Sequence, residues 1–246
     1  MIAARQPEMR FMAPKTVEQQ SRAAVFCGRE RLVHQRTADV NALRALLHEH
    51  GHVFPIGTRQ LDRMRALVED EASDLPALIR GECQDMLVQI AAKTVRITER
   101  TTKLKVMAAR SDSARRLQTM PGVGPLTAVA VEAFGPDMAA FKTGRDFVAW
   151  LGLVPRQHSS GGKERLGSMT KAGQADIGNL LIVGAMSRLN WLGQRTITEC
   201  SWLSRMLARK RKMLVTIALA NKMARQIWEM LTKNEDYKDP ALAGAT

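Results

Sequence analysis

The chain has 246 residues, 45% of them hydrophobic, and a formal net charge of +13. That length suffices for one large domain or two small ones, and no apolar run is long enough to span a bilayer. Cys27, Cys83 and Cys200 are scattered, odd in number and without metal-type spacing, which excludes a disulfide scaffold and reads as free thiols in a reducing compartment. The first ten residues lack the apolar block of a signal peptide, so a cytoplasmic location is expected. So large a cationic excess points to a polyanion, most often nucleic acid. An anionic membrane surface is the alternative, but there is no amphipathic anchor or lipidation signal. Aromatic residues make up only 4%. Leu, Ala, Val, Ile and Met must therefore fill the core, which favours helices over sheets. The expected fold is mainly α.

From the N-terminus, Met9–Pro14 reads as a short extended piece ending at a proline. Thr16 then opens a helix, with Gln19 placed for a capping box. The pattern runs to about His50 and stops at Gly51. Val25, Leu32, Val40, Leu43, Leu46 and Leu47 form its apolar stripe. Arg22, Arg29, Arg36 and Arg44 recur at near-helical spacing, either as a solvated basic face or as a phosphate contact. His48, His50 and His52 are not spaced to converge on a metal; cations at a helix C-terminus are favoured by the macrodipole. Phe54–Gly57 is a turn, and residues 58–80 read as one or two short helices interrupted by Pro76.

Helix resumes from Glu82 to about Ala109. Leu87, Ile90, Thr94, Ile97, Thr101 and Leu104 make a heptad seam there. The seam either packs against a helix of the same chain or pairs with a second protomer. Charge is polarised along this part. Residues 61–85 hold three Arg and seven acids, whereas residues 86–116 hold eight Lys or Arg and two acids, a candidate electrostatic footprint.

Pro121-Gly122-Val123-Gly124 between two helical stretches is the pattern of a helix–hairpin–helix. Its glycines let the backbone approach a phosphate. The helix that follows, with Thr127 in its first turn, aims unpaired N–H groups at the same place. A tight interhelix turn that packs closely is the other reading. Phe141–Gly152 is a short helix. Beyond it, Ser159 and Ser160 stand in a glycine loop ringed by Arg156, Lys163, Arg165 and Lys171. A hydroxyl attacking a phosphodiester needs access, backbone freedom and nearby positive charge. The same composition also suits a solvated basic turn that touches phosphates. Thr170 is placed to cap the next helix, which carries Ile177, Leu180, Leu181 and Leu189. Arg209, Lys210, Arg211 and Lys212 form a basic knot suited to a DNA backbone. After it, Met213, Ile217, Ala220, Ala224, Ile227, Trp228 and Leu231 follow the 3.6 period, and the chain frays from Asn234.

Three blocks carry a family resemblance: Pro-Gly-Val-Gly-Pro-Leu-Thr-Ala from Pro121; Phe141 through Trp150, Leu151 and Gly152 to Lys163; and Gly-Ser-Met-Thr-Lys-Ala-Gly from Gly167. In this order they resemble transposases of the insertion-sequence one-ten family, relatives of Piv-type DNA invertases. The early Met9–Gln20 stretch and the late Ile217–Arg225 stretch fit as well. The resemblance implies an RNase H-like domain with four metal-binding acids (the DEDD set), a helical coiled-coil region, and a C-terminal transposase domain with a nucleophilic serine. On that pattern residues 1–16 are a remnant of the first, 17–112 the helical region, 113–235 the transposase domain and 236–246 a tail.

The serine carried over is Ser160, with Ser159 as runner-up. Its attack would leave a phosphoserine-linked DNA end and free a 3′ hydroxyl. Lys163, Arg165 and Lys171 would neutralise the transition state. The four acids belong upstream of the Met9 block, where Glu8 is the sole carboxylate. The chain is therefore expected to be a truncated transposase or the downstream half of a split gene, with no metal ligands of its own. Mg2+ is expected only if a DEDD domain is supplied, and His158 is the nearest candidate base. The implied partners are DNA of the bacterial nucleoid, a structured guide RNA and further copies of the chain through the coiled-coil region. A catalytically inactive remnant that still binds DNA or RNA is the alternative. The net charge argues against a purely structural helical protein.

Overall fold

A computed structural model of the chain describes residues 14–192 and 202–238. The Met9–Pro14 piece lies outside these residues except for Pro14, as do Cys200, most of segment 1–16 and the end of the 236–246 tail. The described residues carry nine α-helices and one two-stranded sheet, the mainly α fold that the composition favours. They pack as two compact units, one of Ala24–Lys103 and one of the described parts of Met1–Ala23 and Leu104–Thr246.

The smaller unit takes most of α1 (Val17–Glu49) and α3 (Ala77–Arg110), with α2 (Leu61–Glu69) between them. Here α1 and α3 run antiparallel. Arg29 donates to Thr101 Oγ1 at 2.9 Å, and Lys93 pairs with Asp39 at 2.5 Å. Val40, Leu43 and Leu47 meet Cys83, Leu87 and Ile90, and Met64 and Val68 of α2 join the cluster. The heptad seam of α3 is therefore filled from within the chain. Its threonines fit because Thr94 and Thr101 turn their hydroxyls back to the carbonyls of Ile90 and Ile97. Phe26, absent from the expected stripe, is buried. Burial pushes the Cys83 thiol up from its ordinary value, against the opposing pull of Arg80.

Pro76 does not interrupt a helix. It stands at the start of α3, which begins five residues before the expected Glu82, because a proline at a helix start lacks only an N–H that has no intrahelical partner. Arg80 holds the turn before it. Its guanidinium donates to the carbonyls of Val68 (2.7 Å), Asp70 (2.6 Å) and Ser73 (3.2 Å) and to the Ser73 hydroxyl (2.9 Å).

The larger unit is built on α9 (Lys212–Lys233), against which α6 (Gly144–Trp150) and α7 (Ala175–Leu192) pack. Buried Val215, Leu219, Ala220, Met223, Ala224, Ile227 and Met230 face this core. The buried stripe is rotated from the expected one, and Met213 in the first turn is 51% exposed. From α7 come Ile177, Leu181, Ala185 and Leu189. The α8 helix (Trp202–Arg209) is short and buries none of its residues. Thr143 and Asp146 form a capping box at the start of α6, and the Trp228 indole N–H donates to the Met138 carbonyl at 3.2 Å.

The opening of α1 belongs to this unit. Thr16 Oγ1 accepts from the Gln19 N–H at 3.1 Å and Gln19 Oε1 accepts from the Thr16 N–H at 3.0 Å, the expected capping box. Gln19 Nε2 also reaches the carbonyls of Glu132 and Gly135. Glu132, on α5 (Pro125–Phe134), accepts from Arg22 at 2.5 Å and from the hydroxyls of Ser111 and Ser113. Its side chain is 9% exposed. Glu132→Ala removes the buried acceptor shared by Arg22, Ser111 and Ser113, so it is expected to lower unfolding free energy by about 2–3 kcal/mol, measured by urea denaturation.

Candidate functional site

The serine loop is a β-hairpin rather than a flexible glycine loop. Strand β1 (Pro155–Gln157) pairs antiparallel with β2 (Leu166–Met169), with Gln157 opposite Leu166. The His158 N–H donates to the Arg165 carbonyl at 2.8 Å, and the Lys163 N–H to the Ser160 carbonyl at 3.1 Å. Gly161 and Gly162 both have positive φ, 57° and 75°. A two-residue turn with both φ positive matches the right-handed twist of the flanking strands, and Gly-Gly admits it without steric cost. Residues 155–168 are all exposed. The hairpin therefore stands out as a ribbon that contributes nothing to the core.

Alternation along the ribbon separates the two serines. Partners opposite each other share a face, and successive residues take opposite faces. Ser160 pairs with Lys163 and the His158–Arg165 bond keeps that register, so its face also carries His158 and Arg165, whereas Arg156 lies at a register shift between Pro155 and Gln157 and turns its guanidinium to the Thr170 carbonyl at 3.4 Å. The His158 ring lies over Gly167, where a Cβ would stand 2.8 Å from its Nε2 and 3.4 Å from Arg156 Cβ. The other face carries Ser159, Gln157, Glu164 and Leu166. Ser159 Oγ accepts from the Arg165 N–H at 2.9 Å and from Gln157 Nε2 at 3.1 Å, whereas the Ser160 hydroxyl has no hydrogen-bond partner among the described residues. One serine is thus bonded within the ribbon, and the other has no such bond and shares its face with Lys163 and Arg165.

The ribbon is mounted on the helical body. Thr170, expected to cap α7, instead donates its hydroxyl to the Gly152 carbonyl at 3.0 Å, while its N–H bonds the Val154 carbonyl at 2.9 Å. It is four residues too early to cap a helix that starts at Ala175. Lys171 holds a left-handed conformation, φ 54°, and donates its N–H to the Gly152 carbonyl at 3.3 Å. Gly173 packs so closely that a Cβ there would stand 2.2 Å from the Trp150 carbonyl oxygen. Asn221 of α9 donates Nδ2 to the Leu153 carbonyl at 3.0 Å.

The glycine turn joins α4 (Asp112–Leu117) to α5. Gly124 stands at the N-cap of α5 and brings no side chain to the first-turn N–H groups. Gly122 (φ 93°) packs against Gly184 of α7, and a Cβ on Gly184 would stand 2.0 Å from the Gly122 carbonyl oxygen. Thr127 is buried at 5% exposure, so only its backbone faces the start of the helix. The basic knot is the break between α8 and α9. Arg209, Lys210, Arg211 and Lys212 are all exposed there, and Lys212 Nζ donates to Asn190 Oδ1 at 2.8 Å. Nine residues of α9 separate Lys212 from Asn221, about 14 Å along one helix.

Three of the four regularly spaced arginines of α1 are engaged within the chain. Arg22 is bound to Glu18 and Glu132, Arg29 to Thr101 and Glu30, and Arg44 to Asn41 and the Gly57 carbonyl. They tie the fold together. Among the described residues no three His, Cys, Asp or Glu side chains gather as a metal ligand set. Of the carboxylates in and near the ribbon, Glu164 follows Lys163 on the opposite face, Asp176 accepts from Gln174 at 3.0 Å and Asp146 caps α6. No described helix is long and apolar enough to cross a membrane.

A family model described as "Transposase IS116/IS110/IS902 family" matches residues 114–201, which include the glycine turn, α5, α6, the ribbon and α7. Along most of its length the chain is similar to a putative transposase (y4pF/y4sB) of Sinorhizobium fredii, at 39% identity over 243 residues, 94% of this chain and 60% of that protein. It is likewise 39% identical over 243 residues to a probable family 20 transposase of Pseudomonas aeruginosa, 96% of this chain and 70% of that protein. With the transposase for insertion sequence element IS1111A of Coxiella burnetii it shares 36% over 237 residues, 96% of this chain and 65% of that protein. The chain belongs to the IS116/IS110/IS902 family of transposases, the family its motifs resemble. It spans 60–70% of the length of these three relatives.

Proposed function

We propose that the chain is the serine-bearing part of an insertion-sequence transposase that cuts and rejoins DNA. The Ser160 oxygen attacks a backbone phosphorus. The Oγ–P bond forms, the P–O3′ bond breaks, the hydroxyl proton leaves to solvent, and the 3′ oxygen takes up a proton. The DNA end is left as a phosphoserine ester, which the 3′ hydroxyl of another strand can displace to rejoin it. Lys163 and Arg165 on the same ribbon face, with Arg156 and Lys171 nearer its foot, offset the charge that builds on the phosphorane oxygens. The observation that carries this reading is the free Ser160 hydroxyl on the cationic face. The first turn of α5 behind Gly124 and the knot at Arg209–Lys212 would hold further phosphates.

Two partners are part of this reading. A second copy is supported by α3, whose Val88 and Val95 are 68% and 58% exposed on one helical face, seven residues apart. A structured guide RNA is supported by the same cationic surfaces that suit DNA.

The test is to incubate the chain with the ends of its element and resolve covalent protein–DNA species on a denaturing gel, mapping the modified peptide by mass spectrometry. A DNA adduct on the Gln157–Arg165 peptide at Ser160 is expected. Adducts elsewhere, or DNA binding that never becomes covalent even with the N-terminal part of a full-length relative supplied, would defeat the proposal. Independently, DNA affinity should fall steeply with salt. Replacing the four knot cations by alanine should shrink the magnitude of the log–log slope by about 0.9 for each phosphate no longer neutralised, measured by fluorescence anisotropy.

A further inference from the structure

We infer that Asn221 is the positioning residue that aims the serine ribbon; its functional half rests on Ser160 as nucleophile. The ribbon has no core of its own, so its direction is set at its foot. Three successive carbonyls lie there. Those of Gly152 and Val154 accept from Thr170 and Lys171 on the returning strand, and bonds within the ribbon's own base do not aim it. The Leu153 carbonyl accepts instead from Asn221 Nδ2 at 3.0 Å, a side chain of the central helix α9. The Leu153 N–H bonds the Val148 carbonyl of α6 at 3.2 Å, and its side chain is buried. Leu153 is thus gripped from both sides, and Asn221 supplies the polar half of that grip from beside the buried Leu219, Ala220, Met223 and Ala224.

The lever makes this grip matter. The seven-residue step from Leu153 to Ser160, with β1 at its centre, spans at most about 23 Å at the rise of an extended chain. A tilt of about 10° at the foot therefore moves the hydroxyl by up to about 4 Å, well beyond the roughly 1 Å misplacement that costs about a hundredfold in rate.

The experiment compares Asn221→Leu, which keeps the volume without the donor, with Asn221→Gln, which restores an amide. Backbone hydrogen exchange on the free chain needs no chemistry. In Asn221→Leu the amides of His158, Lys163 and Thr170 should exchange at least about tenfold faster while those of α7 and α9 stay protected, and Asn221→Gln should recover part of the protection. On DNA, the Asn221→Leu adduct rate should fall at least about tenfold, with affinity within about twofold. Unchanged ribbon exchange overturns the inference. So does a uniform loss of protection across α7 and α9, which would make Asn221 an ordinary packing residue, and so does faster ribbon exchange with an unchanged adduct rate. If wild-type chain forms no adduct, the proposed reaction fails, and the exchange pattern still decides whether Asn221 fixes the ribbon.

Discussion

Ser160→Ala should abolish covalent attachment to DNA, a loss of at least about a thousandfold, because no other group at that position can form the ester. Binding should persist, since Arg156, Lys163 and Arg165 remain. Ser159→Ala should behave differently. It removes the acceptor used by the Arg165 N–H and by Gln157, which loosens the ribbon and slows the reaction by about tenfold or less. The contrast is sharp because the serines are neighbours in sequence and differ only in which face they take. Adduct yields of the two variants on the same substrate decide the matter. An Ser160→Ala chain that still becomes covalently attached would move the nucleophile elsewhere.

Gly184→Ala should be among the most costly single methyls added to the larger unit. The new Cβ would stand 2.0 Å from the Gly122 carbonyl oxygen, and both partners are backbone, so neither can rotate away. Relief requires α7 and the α4–α5 turn to separate, which opens the core around Leu181, Ala185 and Met223. A loss above about 3 kcal/mol is expected, seen as a large drop in urea midpoint or as failure to fold. Gly124→Ala is the control. Nothing lies within 4 Å of a Cβ there and its φ of −99° suits any residue, so the fold should survive. A fall in DNA affinity in that variant would place a phosphate against the start of α5, and an unchanged affinity would mark the turn as packing alone.

Much of this architecture was readable from residues in a row. Thr16 with Gln19, and Gly51 past its end, delimit α1 because capping and left-handed exits are local chemistry. The family motifs pointed to Ser160 and its cations, although only the strand pairing places Lys163 and Arg165 on its face. The hairpin was read as a glycine loop: Gly161-Gly162 is a turn signal, but neither strand has an apolar face to give the period-two patterning that marks a hairpin. Long-range contacts were not legible. That Arg22 meets Glu132 and Asn221 meets Leu153 depends on helices brought together from distant parts of the chain. The rotated stripe of α9, with Val215 inside and Met213 outside, reflects where α7 lies against it, which periodicity alone does not specify. Pro76 misled because its effect depends on whether it falls at a helix start or within one.

The ribbon's complete exposure has an evolutionary consequence. A segment that buries no side chain can be rewritten without loosening the fold, so selection on residues 156–168 acts almost wholly through what they touch outside the molecule. Related mobile elements can therefore diversify this projection as an interchangeable cassette while the helices beneath it stay constant, and grafting a relative's ribbon between Val154 and Met169 should yield a chain that folds as before yet behaves differently on DNA.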